Sequence, residues 1–196
     1  MTYPYKSICV FCASADGLAS DYYEAAYEIG TRLAQLEITL VYGGGRTGLM
    51  GAMAEGALQQ GGEIIGIVPR GLESPQLIYT SRLSRLEIVD DIQQRKARMN
   101  NLAEAFLCLP GGYGTMDEAF EVLTWSQIGL HRKPCGFLNT NGYFDALFAW
   151  VRRAHKDHFI YEEHLELFVE DATPQGLLEK LTEYKFPVNI GRWLER

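Results

Sequence analysis

The residues best placed for chemistry lie where short apolar runs end in glycine. The stretch Leu107-Cys108-Leu109-Pro110-Gly111-Gly112-Tyr113-Gly114-Thr115-Met116-Asp117-Glu118 carries an apolar run through a proline and three glycines to a hydroxyl residue and two acids. The amides around Gly111, Gly112 and Gly114, with the Thr115 hydroxyl at a helix start, make a cradle for an anion such as phosphate. Asp117 and Glu118 follow in the first turn and face the same ligand region. Thr115-x-x-Glu118 is also the pattern of a capping box, in which the glutamate returns to the amide of the capping residue. The carboxylate therefore has two readings, helix cap or chemical group. Arg95 and Lys96 weigh toward the second. They open Arg95-Lys96-Ala97-Arg98-Met99-Asn100 on the helical stretch before this strand, where a cation and a carboxylate can converge on one bound group. A solvated basic face is the alternative.

A second junction, Val41-Tyr42-Gly43-Gly44-Gly45-Arg46-Thr47-Gly48-Leu49-Met50-Gly51, satisfies G-x-G-x-x-G through Gly43, Gly45 and Gly48. Glycines at Gly43, Gly44 and Gly45 permit positive φ and close approach of a phosphate to backbone amides. A dinucleotide fingerprint also wants a carboxylate about twenty residues later, where Ile67-Val68-Pro69-Arg70 stands instead. Arg70 alone encourages an NADP reading. A phosphate loop of the NTPase kind needs Lys and Ser or Thr after Gly48, where Leu49 and Met50 stand. Tight turns and close helix packing are the alternative reading of these glycines.

These junctions need strands and helices in alternation. Strand-length apolar runs fall at 7–11, 39–42, 63–68, 86–89, 105–109 and 135–139. Several are continuously apolar, as a parallel sheet covered on both faces requires. Helical stretches fall between them at 21–36, 49–60, 92–102, 115–128 and 143–156, and a last one at 174–184 begins with proline. The pattern predicts an α/β, Rossmann-like three-layer fold with a mainly parallel sheet, in one domain over 1–196. Ligands bind in such folds beyond the carboxyl ends of the strands. The tail from Phe186 onward carries Ile190, Trp193 and Leu194, which pack against the body or a partner.

Composition narrows the partners. The 196 residues carry 25 acidic and 18 basic side chains, a formal charge of −7, and no basic run longer than Arg152-Arg153. Binding of nucleic acid or anionic membrane by counterion release is disfavoured, so an anionic ligand must be held locally. The apolar run Ile8 to Ala13 is too short for a secretory core or a membrane span, which suggests a soluble cytoplasmic protein. Cys9 and Cys12 form a lone C-x-x-C on a strand, where residues three apart point to opposite faces. Reduced core cysteines fit better than a metal site, and Cys108 and Cys135 add no second pair. His155, His158 and His164 lack metal-ligand spacing and read as solvated surface.

Pro110-Gly111-Gly112-Tyr113-Gly114-Thr115-Met116-Asp117-Glu118 resembles the P-G-G-x-G-T-x-x-E signature of the LOG family of cytokinin riboside 5′-monophosphate phosphoribohydrolases. Tyr42 through Gly51 and Gln94-Arg95-Lys96-Ala97 resemble two further blocks of that family at matching spacing. The similarity runs from about Ile8 to Val169. It implies hydrolysis of the N-glycosidic bond of an adenosine 5′-monophosphate, often N6-isopentenylated, to free base and ribose 5-phosphate. It places the catalytic positions on Arg95 and Glu118. It places nucleotide contacts on Arg95 and Lys96, on the loop Gly111, Gly112, Tyr113, Gly114, Thr115, Met116 and Asp117, and on Thr124. It also implies a homodimer whose neighbouring subunits help complete the site. Plant members carry a substrate-contacting acid after the third strand, and Glu73 is the candidate equivalent here. Such proteins have carried a lysine decarboxylase label, yet no lysine stands in a recognisable Schiff-base motif.

The residue types agree with the implied chemistry. Purine loss passes through an oxocarbenium-like state that a carboxylate near the anomeric carbon stabilises or serves as base. Glu118 fills that role, Arg95 holds substrate and favours the ionised carboxylate, and the leaving base takes its proton from Asp117 or solvent. No metal and no cofactor is called for. A nucleotide-binding or sensing module using the same loops without chemistry is the alternative.

Overall fold

Alternate residues of each strand point to opposite faces of the sheet, and in the five inner strands both sets are largely apolar. The computed structural model describes residues 3–191. Its strands are β1 (Ser7–Phe11), β2 (Thr39–Tyr42), β3 (Ile64–Pro69), β4 (Arg85–Val89), β5 (Ala105–Cys108), β6 (Cys135–Leu138) and β7 (Val169–Asp171). The helices between and after them are α1 (Ser20–Gln35), α2 (Gly48–Gln59), α3 (Ile92–Leu102), α4 (Tyr113–Gln127), α5 (Asp145–Lys156) and α6 (Pro174–Glu183). One seven-stranded sheet results, in the order β4-β3-β2-β1-β5-β6-β7. Every neighbouring pair is parallel, from Ile8 beside Leu40 to Phe137 beside Glu170.

The two sheet faces bury separate cores. Ile8, Val10, Leu40 and Leu107 pack with Ile29 and Leu33 of α1, Met53 of α2 and Leu177 of α6. Cys9, Phe11, Val41 and Phe106 pack on the other face with Met99 of α3, Val122 of α4 and Phe148 of α5. Three helices thus cover each face, which is the expected three-layer α/β architecture. Cys9 and Cys12 lie in opposite cores, and all four cysteines are free and buried. Burial pushes the Cys9, Cys12 and Cys108 thiols up.

Some expectations need correction. Strand β7 has three residues, too few to show a period in sequence. Helix α5 starts at Asp145, after a short turn of 3-10 helix at Thr140–Gly142. Helix α4 starts at Tyr113, with Gly112 at its cap and no side-chain cap bond. Thr115 is therefore inside the helix rather than capping it. His164 is buried, not solvated: its Nδ1 meets Gln127 Nε2 at 3.2 Å and accepts from the Tyr161 amide at 3.2 Å. In the tail, Phe186 is half-buried under the Arg132 guanidinium, 5.5 Å from its ring centre. Trp193 and Leu194 lie outside the described residues.

The strand order turns at β1 and β5. From β1 the chain works outward to β4, then returns to place β5 on the other side of β1. Loops leaving β1 and β5 diverge there, and the crevice beyond their carboxyl ends is where such a sheet takes its ligand.

Candidate active site

The loop leaving β5 is fixed to the loop leaving β1 by backbone bonds: the Leu109 amide donates to Phe11 at 2.9 Å and the Ala13 amide to Pro110 at 3.1 Å. Gly111 sits so close to Thr115 that a Cβ on it would stand 2.1 Å from the Thr115 hydroxyl. Tyr143 donates to the Gly111 carbonyl at 2.7 Å from the opposite side. Beyond these braces the loop opens. Nothing lies within 4 Å of where a Cβ of Gly112 or Gly114 would be, and Tyr113 between them is 98% exposed. Helix α4 therefore presents its amino end, with uncapped amides, to solvent at the switch point. Such an end attracts an anion.

Glu118 lies one turn further on, on the buried side of α4. It is only 6% exposed, and its Oε1 accepts from Arg95 Nη1 at 2.7 Å. Arg95 comes from the first turn of α3, whose start is capped by Asp91 accepting from the Gln94 amide at 2.8 Å. Its Nε donates to the Ile67 carbonyl at 3.2 Å, which ties the guanidinium to the end of β3. Burial raises the Glu118 carboxyl above its usual range, and the Arg95 charge opposes this without cancelling it. Arg95 thus favours the ionised form of Glu118, as expected, while desolvation of a carboxylate this deep acts more strongly in the other direction.

A parallel pair runs alongside. Lys96 bonds Asp117 at 3.1 Å and Glu121 at 2.8 Å, joining α3 to α4 a second time. Burial acts to lower the Lys96 ammonium, but its bonds to Glu121 and Asp117 carry it above the ordinary lysine value. Asp117 is 59% exposed and Met116 turns inward against the α4 core, so the two neighbours of Glu118 differ in what they meet.

Arg95 also borders a cavity of about 390 Å³. Gly43, Gly45, Met50, Val68, Leu77 and Ile78 form much of its wall. The first glycine loop thus shapes a largely apolar chamber beside a guanidinium. Gly44 holds φ at +74°, and a Cβ on it would stand 2.5 Å from the Val68 side chain. At the start of α2, the Gly48 amide donates to the Asp16 carboxylate at 2.9 Å.

Two candidates lie apart. Thr124 is exposed and six residues beyond Glu118, hence on another face of α4, where it lines a recess of about 170 Å³ with Phe120 and Trp150. Glu73 turns back on its own loop and accepts from the Gly71 amide. Sequence reasoning missed Met50, Leu77 and Ile78 as cavity walls. Their only signal was being apolar beside a glycine-rich junction.

These features define an open α/β protein with a solvent-facing helix end and a buried carboxylate–guanidinium pair beside an apolar chamber. A family model described as possible lysine decarboxylase matches residues 50–181. A probable cytokinin riboside 5′-monophosphate phosphoribohydrolase of Oryza sativa subsp. japonica is 42% identical over 180 residues, 92% of this chain and 79% of that one. A cytokinin riboside 5′-monophosphate phosphoribohydrolase of Arabidopsis thaliana is 41% identical over 180 residues, covering 92% and 83%. The chain belongs to this family, the LOG family. Among solved structures, the molybdenum cofactor binding protein of Rippkaea orientalis aligns over 90% of this chain and 95% of its own, with TM-score 0.68 and 19% identity. The molybdenum cofactor carrier protein of Chlamydomonas reinhardtii aligns over 91% and 96%, with TM-score 0.67 and 19% identity. These two likenesses speak to fold. Among the described residues no helix is long and apolar enough to cross a membrane.

Proposed function

We propose that this protein is an N-glycosyl hydrolase that cleaves adenosine 5′-monophosphates bearing an apolar N6 substituent into free base and ribose 5-phosphate. The observation that carries the reading is the buried Arg95–Glu118 pair, flanked by an open helix end and an apolar chamber. In this reading the phosphate rests on the amides of Gly111, Gly112, Tyr113, Gly114 and Thr115, near Lys96 and Asp117. The base and its substituent occupy the chamber between Gly43, Gly45 and Ile78. Phosphate binding then orients the scissile bond over Glu118.

The reaction breaks the bond from C1′ to the base nitrogen, whose electron pair leaves with the base. Positive charge grows on C1′ and the ring oxygen, and the Glu118 carboxylate lies near to stabilise it. Water bonds to C1′ and gives its proton to Glu118, while the base nitrogen takes a proton from solvent, directly or relayed by Asp117. A carboxyl held above its ordinary range suits a group that must accept a proton near neutral pH. Arg95 moves no proton in this scheme; it fixes the Glu118 carboxylate and faces the ribose.

We infer also that two copies associate. Phe120, Ile128, Leu130 and Trp150 are exposed on α4, the turn after it and α5, which makes an apolar face beside the Thr124 recess. A second copy on that face gives Thr124 a place in a shared site. Four reduced buried cysteines accord with a cytoplasmic setting.

Incubation of the purified protein with AMP and N6-isopentenyl-AMP, with chromatography of the products, tests the reaction. Release of base is expected, and release from neither nucleotide overturns it. Tight AMP binding without product would mark a nucleotide-holding module instead. Light scattering giving a monomer mass would remove the paired assembly.

A further inference from the structure

The segment 70–84 between β3 and β4 crosses the glycine loop rather than looping into solvent. It is pinned by main-chain bonds: the Arg46 amide donates to Leu77 at 2.9 Å and the Tyr79 amide to Gly44 at 3.2 Å, and Gly45 and Ile78 form an antiparallel bridge. Leu77 and Ile78, at the middle of the crossing, are walls of the chamber beside Arg95. The segment is thus a strap, and its grip decides how closely those two side chains approach a ligand.

Side chains at one end of the strap add a second fastening. Arg82 makes a two-pronged bond to Glu55 of α2, at 3.0 and 3.2 Å. The Tyr79 ring lies between two guanidinium groups, Arg82 at 5.7 Å and Arg46 at 5.9 Å from its centre, within cation–π range. Arg46 also donates to the Pro75 carbonyl at 3.2 Å. Arg82 achieves its bond with φ at +91°, a backbone state that a residue with a side chain rarely adopts. A glycine would occupy it freely. Local propensity does not favour arginine here, so its side-chain bond to Glu55 is what the strained position secures.

We propose that Glu55 and Arg82 are positioning residues: their pair latches the strap so that Leu77 and Ile78 close the chamber, and it thereby sets the preference for a nucleotide with an apolar substituent on its base. This rests on the base occupying the chamber, as in the proposed function. Neither residue touches substrate. The pair is partly exposed, with side-chain exposures of 53% for Arg82 and 33% for Glu55, so its effect is modest and falls as salt rises.

The test uses the full chain with Arg82→Gly, Glu55→Gln and the exchanged pair Glu55→Arg/Arg82→Glu. Steady-state kcat and KM are measured for N6-isopentenyl-AMP and for AMP, beside thermal unfolding. Each single variant is expected to raise KM for N6-isopentenyl-AMP about two- to fivefold, the range an exposed bidentate pair supplies. KM for AMP changes less, and the exchanged pair restores the ratio. Arg82→Gly holds or raises the unfolding midpoint because it relieves the positive φ. A merely structural pair would lower stability and weaken both nucleotides in parallel, which overturns the latch. An unchanged ratio in folded, active variants also overturns it, and leaves the reaction standing. A wild-type protein with no preference to lose overturns the latch alone, whereas base release from neither nucleotide overturns the reaction and the latch together.

Discussion

Gly43 and Arg95 occupy adjoining space: a Cβ built on Gly43 would stand 2.3 Å from Arg95 Nη2. The first glycine of the G-x-G-x-x-G pattern therefore serves a side chain as well as a ligand. Gly43→Ala pushes the flexible guanidinium aside, and the fold survives because the obstacle is the end of a long side chain. The bonds to Glu118 and to the Ile67 carbonyl do not survive unchanged. We expect kcat/KM on N6-isopentenyl-AMP to fall roughly tenfold to a hundredfold, the scale of a small misplacement in a positioned site. A midpoint of thermal unfolding close to wild type checks that the loss is local.

Glu118→Gln removes the proposed base and keeps the side-chain shape. The expected outcome is a fall in kcat of about 10²- to 10⁴-fold with a retained fold. A near-normal rate would return Glu118 to a purely structural role in bridging α3 and α4.

The pH dependence follows from the same carboxyl. Its value is raised, because burial outweighs Arg95. The folded protein thus holds this proton to a higher pH than the unfolded chain does. The base form is lost as pH falls through the raised value, so the acid limb of kcat/KM lies above the ordinary carboxylate range. Stability carries the opposite sense: the contribution from this group is present below the unfolded value and lost as pH rises through the folded one. Relative to Glu118→Gln, wild type should lose stability as pH rises above the ordinary carboxylate range, as read by denaturant titration at several pH values.

Tyr143→Phe deletes the bond to the Gly111 carbonyl and nothing else in that contact. Losing one such bond loosens the phosphate loop. KM for a 5′-monophosphate should rise roughly twofold to tenfold, while the weak reaction of the matching nucleoside, which has no phosphate to seat, stays as it was.

Phe137→Ala addresses the core beneath this loop: Phe137 pairs with Cys108 at the end of β5, and Phe144, which packs on it, touches Tyr143. Phe137 is fully buried, with Phe144, Phe148 and Phe168 at centroid distances of 5.1, 5.9 and 5.2 Å. A loss of about 3–5 kcal/mol in denaturant unfolding is expected.

The sheet was legible because its strands are buried on both faces. Ser7–Phe11 and Thr39–Tyr42 stand out as apolar runs, and α3 begins and ends where its sequence pattern does. Arg95 and Glu118 were legible from residue type and spacing, but their contact was not, since it depends on α3 and α4 packing against one face of the sheet. Thr115 misled because a hydroxyl followed three residues later by glutamate looks the same whether the helix starts at Tyr113 or after Thr115. Gly112 took the cap position instead. His164 misled for a different reason: nothing in an acidic, polar neighbourhood announces that Gln127 of α4 waits to receive it. The strap was silent as well, since its turn residues carry no period, and its value lies in main-chain bonds to Gly44 and Arg46 that no side-chain pattern encodes.

The Asp16 carboxylate at the Gly48 amide has one more consequence. Two helices start at this edge of the sheet beside glycine loops, and each is a seat for negative charge. The chain occupies one seat itself. The start of α4 carries no such side-chain bond and stays free for the phosphate of the proposed substrate. On the reading proposed above, the glycine motif that most resembles a dinucleotide fingerprint has its helix end filled by the chain's own carboxylate, and a single phosphate goes to α4.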